Sequence, residues 1–129
     1  MNSKVKEWHG LSKEDFDVAE LTFKSKRYTH TVFMCQQAIE KSIKAVYVKK
    51  FNKVPPRKHD LLALCRDIGI IDELSDEYKK MLAYISSMYI LARYPDTSRM
   101  GYSKPDRKKA RKVLITTKEV LEWLETEMK

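Results

Sequence analysis

Glycine and proline are nearly missing from this chain: three and four residues among 129. Sandwiches and barrels spend both on their many turns, so the scarcity points to a few long helices. A chain of this length makes one domain, read here as spanning residues 1–129, and can bury a core without metals or disulfides. Hydrophobic residues are 43% and recur periodically, which excludes disorder.

The apolar periodicity fits this expectation. Helix one is predicted from about Ser12, capped by that side chain, with Phe16, Ala19 and Phe23 on one face. It fades near Lys26–Arg27. Thr29 or His30 opens helix two, which carries Val32, Cys35, Ile39, Ile43 and Val46 inward to about Lys50. Pro55-Pro56 prevents its continuation. Asp60 caps a short third helix, and Gly69 suits a left-handed C-terminal cap. Ser75 caps helix four, with Tyr78, Leu82, Ile85 and Tyr89 on one face, and Pro95 stops it. After a loop, Ser103 caps helix five, with Pro105 in its first turn. The expected fold is all-α: an antiparallel up-and-down four-helix bundle with one additional short helix.

Lys and Arg total 26 against 18 Asp and Glu, a formal charge of +8. The surplus suits nucleic acid, nucleotide or an acidic partner, and equally serves solubility. Cys35 and Cys65 lack zinc-site spacing and fall in apolar helical stretches, which suggests reduced core thiols and a cytoplasmic setting. The first ten residues hold no signal-peptide core, and no apolar run is long enough to span a membrane. P-loop, dinucleotide and common metal motifs are missing, so neither cofactor nor metal is expected.

Four stretches could carry chemistry. Gln37, Glu40, Lys41 and Lys44 recur at i, i+3, i+4 and i+7 and so share a helix face. They offer an amide, a carboxylate and two ammonium groups to a ligand or partner, or else form a solvated face. Arg93-Tyr94-Pro95-Asp96 ends helix four with a phosphate-binding guanidinium and a ring able to stack on a base, although Arg also suits a helix C-terminus. His59 could move a proton or touch a phosphate, or simply order the start of helix three. Between Lys104 and Lys112 six residues are basic and one is acidic. These six do not share one face, so phosphate docking and plain solvation both remain open.

Taken in order, these stretches resemble the HEPN domain (higher eukaryotes and prokaryotes nucleotide-binding). The run Gln36-Gln37-Ala38-Ile39-Glu40-Lys41-Ser42-Ile43-Lys44-Ala45 is similar to the family's QQAxEKxxKA signature. His59-Asp60-Leu61-Leu62-Ala63-Leu64 is similar to its H-x-L-x-x-L element, and Ala92-Arg93-Tyr94-Pro95-Asp96 to its ARYPD ending. The resemblance covers about residues 12–125. It implies a helical homodimer, a partner such as a minimal nucleotidyltransferase in a toxin–antitoxin type pair, and binding of a nucleotide or RNA. It makes Gln37, Glu40, Lys41, Lys44, His59, Arg93, Tyr94 and Asp96 the candidate nucleotide or partner contacts. Many members are metal-independent ribonucleases with His four to six residues beyond an Arg. After Arg93, with four, five and six residues between, come Ser98, Arg99 and Met100, with Thr97 one position earlier, and none is His. Binding is therefore the first expectation. The alternatives are a ribonuclease using Arg93 with His59 or His30, and a purely structural dimerisation module.

Overall fold

The computed structural model describes residues 1–94 and 104–129. Five α-helices make up the fold: α1 (Ser3–Lys24), α2 (Tyr28–Phe51), α3 (Leu61–Asp67), α4 (Asp76–Leu91) and α5 (Arg107–Glu127), with a 3-10 turn at Ile71–Glu73. No strand occurs among the described residues. Helix α2 runs through the centre and packs on all four others. Its Val32, Cys35, Ile39, Ile43 and Val46 are buried against Ala19 of α1, Leu61 and Leu64 of α3, Leu82 and Ile85 of α4, and Val113 and Leu124 of α5. A helix apolar around most of its circumference takes the middle of a bundle, where every face is covered.

Two predicted helix starts are wrong. Helix α1 begins at Ser3, nine residues before Ser12, because the Asn2 side chain already accepts from the Val5 amide at 2.9 Å. Ser12 is instead buried mid-helix, and its hydroxyl donates to the Ala38 carbonyl of α2 at 2.6 Å. At α5 the cap is Asp106, not Ser103: its carboxylate accepts from the Lys109 amide at 2.8 Å. An ionised acceptor at a helix N-terminus gains from the dipole as well as the hydrogen bond. Pro105 consequently precedes the cap, while Ser103 and the Pro95 stop lie outside the described residues.

The other predicted boundaries hold within a residue or two. Helix α2 opens at Tyr28, and Asn52 ends it in the left-handed region. Asp60 caps α3 through the Leu62 and Ala63 amides, and Ser75 caps α4 through the Tyr78 amide. Gly69 has φ +77°, and the Ile70 amide returns to the Cys65 carbonyl at 3.0 Å. Gly10, by contrast, sits inside α1 with nothing within 4 Å of where a Cβ would stand. The two Ala substitutions should therefore have opposite signs. Gly10→Ala gains about 0.5–1 kcal/mol from helix propensity, and Gly69→Ala loses about 1 kcal/mol to left-handed strain. Urea denaturation of both variants checks this; equal signs would contradict it.

Cys35 and Cys65 are both free and buried. Burial pushes each thiol from its ordinary 9.0 up to about 12; the nearby Thr117 side chain at Cys35, and the Arg66 charge at Cys65, offset this only in part. Between those pH values the unfolded chain holds fewer thiol protons than the folded one. Stability from this source is thus complete below about pH 9 and declines as pH climbs towards about 12. At pH 8.5 iodoacetamide should label neither thiol in the native protein and both in guanidinium. Rapid native labelling, read by mass spectrometry, would refute the buried assignment.

Candidate functional site

The central helix carries Gln36, Glu40 and Lys44 one turn apart, on a stripe that faces α3 and its approach. Lys44 donates from Nζ to one Glu40 oxygen at 3.0 Å, and Gln36 donates from Nε2 to the other at 3.0 Å. His59 Nδ1 stands 3.0 Å from that second oxygen, and Gln36 Nε2 also donates to the His59 carbonyl at 2.9 Å. The Glu40 and Lys44 side chains are each only 7% exposed. A charge so placed is tolerable because partners surround it. The Lys44 ammonium also lies 5.8 Å from the centre of the Trp8 ring.

His59 closes the Pro55-Pro56 segment just before the α3 cap. The Leu61 amide donates to Ser86 Oγ at 3.0 Å, which fastens that segment to α4. The His59 ring, 42% exposed, stacks on Tyr89 with centroids 4.0 Å apart and planes 11° from parallel. Arg93, one turn beyond Tyr89, holds its guanidinium 4.4 Å from the Tyr89 ring and 5.7 Å from Phe33. His59 and Arg93 thus share one aromatic ring. An open groove of about 490 Å³ runs beside His59 and Tyr89, its lining including Asp60, Ser86, Ser87 and Ile90.

The chemistry follows from these contacts. A carboxylate can only accept, so with Glu40 against Nδ1 the proton sits on Nδ1 and Nε2 is left as the basic nitrogen. Glu40 fixes tautomer and ring orientation together, as a carboxylate does behind many functional imidazoles. Arg93 supplies a permanent cation with a planar donor fork suited to phosphate. Among the described residues no three His, Cys, Asp or Glu side chains gather as metal ligands.

Other predicted residues fall elsewhere. Glu40 and Lys44 form neither a solvated face nor an open contact, since they are buried on each other. Gln37 is half-buried and donates to the Gln36 side-chain oxygen. Lys41 turns to α1 and pairs with Asp15. Tyr94 is 59% exposed, and Asp96 lies outside the described residues. His30 is exposed on the first turn of α2, away from Glu40; of the two candidate histidines, His59 is the one seated on the ring that Arg93 covers. Sequence reasoning passed over Gln36, Phe33, Ser86 and Tyr89 as site residues. Two spacings signalled two of them: Gln36, Glu40 and Lys44 at successive fours, and Tyr89 four before Arg93.

The HEPN domain family model matches residues 5–127. The chain belongs to the HEPN domain family. A Methanocaldococcus jannaschii protein named "Putative toxin MJ1304" is 27% identical over 92 residues, or 66% of this chain. The match spans 59% of that relative's length. Among solved structures, TT1696 from Thermus thermophilus superposes with TM-score 0.81 at 19% identity, covering 98% of this chain and 99% of that one. ST0689, an archaeal HEPN homologue, gives TM-score 0.69 at 19% identity, covering 97% and 98%. These likenesses show that this HEPN domain shares their helical fold. No helix among the described residues is long and apolar enough to cross a membrane.

Proposed function

We propose that this HEPN domain is the nucleotide-binding member of a toxin–antitoxin type pair, and that its pocket is the surface of His59, Tyr89 and Arg93. The observation that carries the reading is the shared ring: a fixed imidazole and a guanidinium both seated on Tyr89 beside an open groove. With the two faces of Tyr89 taken by His59 and Arg93, the half-exposed imidazole is left for a base and the guanidinium for a phosphate, a minimal nucleotide site. The likeness to a relative named as a toxin supports the pairing. The companion is a minimal nucleotidyltransferase, and the domain acts as a homodimer in the cytoplasm. Tyr94, next to Arg93 in the chain, is a further candidate contact, whereas Gln37 and Lys41 brace α2 rather than touch ligand. Calorimetry with ATP, GTP and their monophosphates tests the pocket, and co-purification with the neighbouring gene product tests the pairing. No heat from any nucleotide rejects the pocket; light scattering that reports a monomer rejects the dimer.

One observation favours a second reading, a metal-independent ribonuclease. Glu40 holds His59 with Nε2 as its basic nitrogen, within reach of the same ring as Arg93, so the fold offers a proton carrier where the sequence offers none nearby. RNA cleavage that survives EDTA and is lost in both His59→Ala and Arg93→Ala would select this reading.

A further inference from the structure

We infer that a second groove, between the start of α1 and the end of α2, is a binding site for the anion of a fatty acid. The groove encloses about 480 Å³. That lies within the range of small-molecule sites, which are concave and mostly apolar. Trp8 and Leu11 of α1, Val48 of α2, and Val54 and Pro55 of the segment after α2 give it apolar walls. These walls are left to water: Leu11 is 41% exposed and Val54 87%. The groove has no lining residue in common with the one beside His59, and the inference does not rest on the nucleotide reading.

The local chain keeps the groove open. Asn52 ends α2 in the left-handed region, at φ 51°, and so turns the chain out of the helix. Pro55-Pro56 then lack amide donors, and the segment cannot resume the helix. Val54 is thereby held apart from the core while Pro55 is buried. On the α1 side Trp8 is half-buried, and Lys44 Nζ stands 5.8 Å from its ring centre. Lys44 is buried and does not line the groove, so it meets the indole from the interior. A ring fixed in this way offers a ligand a ready face, with little ordering left to do on binding.

The charges choose the ligand. Lys4 and Lys53 line the groove with one carboxylate, Glu7, which Lys4 already meets at 3.9 Å. Lys53 makes no ion pair among the described residues. Lys4 also stands in the first turn of α1, which holds no acidic residue, so ammonium and helix dipole add at this end. A ligand with an apolar body and one anionic end satisfies both features. Its chain covers the walls, and its carboxylate answers Lys53. A second copy of this chain is a poor occupant, because the same lysines would face each other. A single acyl chain enters the concavity, which a bilayer surface does not fill.

Calorimetry of the full chain with octanoate and decanoate, both below micelle-forming concentrations, tests the site. Decanoate should bind up to about 15-fold more tightly than octanoate, as expected from burying two further methylenes. Lys53→Glu, on an exposed segment, should weaken both acids about fivefold and leave 1-octanol unchanged. Leu11→Glu, at an exposed helix position, should weaken acid and alcohol alike. Thermal midpoints equal to the parent's show that neither variant has lost the fold. In Trp123→Phe, where Trp8 is the one indole left, emission should move to the blue as decanoate enters. No heat from millimolar decanoate overturns the proposal, as does a Trp8 emission that ignores it. Decyltrimethylammonium binding as tightly as decanoate overturns the choice of an anion. Binding to phosphatidylglycerol vesicles without binding to decanoate assigns the surface to a membrane and overturns it too.

Discussion

Glu40→Ala should cost this domain about 3–5 kcal/mol of stability, the largest loss expected from any polar side chain here. The substitution strands the Lys44 ammonium, 7% exposed, with no opposite charge and only the Trp8 ring nearby. It also removes one of the two acceptors of the Gln36 amide and the one that orders His59. The penalty is mostly desolvation of the orphaned charge, not loss of attraction. Replacing Glu40 and Lys44 together by Leu and Met should therefore recover much of it, since apolar groups of similar volume need no partners. Lys41→Ala is the contrast. Its pair with Asp15 is more open, 23% and 14% exposed, so the loss should be nearer 1 kcal/mol. Urea denaturation of the four proteins decides it. Equal losses for Glu40→Ala and the double variant would mean that the network acts through packing alone.

This network explains why the fold was more legible than the site. Helical class, the α3 and α4 caps and the Gly69 turn follow from local chemistry, and local chemistry is what a sequence displays. The missed starts of α1 and α5 share a cause, two side chains competing for each cap: the apolar run after Ser12 favoured it over Asn2, and Pro105, read as a first-turn residue, favoured Ser103 over Asp106. Ser12 looked like a cap because nothing in the sequence told of its bond to Ala38 across the α1–α2 contact. The site was harder because its geometry is tertiary. Gln37, Glu40, Lys41 and Lys44 do lie on adjacent rows of α2, but α1 takes Lys41 and the α3 approach takes Glu40. A helical wheel gives one face where the bundle makes two. His59 and Arg93 are 34 positions apart, and only the crossing of α4 over the α3 approach sets them on one ring.

Arg93→Ala should weaken nucleotide binding by about 10- to 100-fold, the worth of charge-assisted hydrogen bonds at about 1.5–3 kcal/mol. The guanidinium is held over Tyr89 and Phe33 without a carboxylate partner among the described residues, so its donors are free to meet a phosphate. Arg93→Lys should recover only part of the affinity, because an ammonium lacks the planar fork and stacks less well. Tyr89→Leu should be at least as damaging, since it removes the platform under both Arg93 and His59. His59→Ala should weaken binding less than either and leave the fold intact, because the ring is 42% exposed and Glu40 keeps its Lys44 and Gln36 partners. Calorimetry of this series against one triphosphate reads the ranking. If Arg93→Lys bound as tightly as the parent, the guanidinium would be acting as a point charge. If Tyr89→Leu left affinity unchanged while Arg93→Ala removed it, the base would lie away from the ring, and the pocket would have to be redrawn on the phosphate side of Arg93.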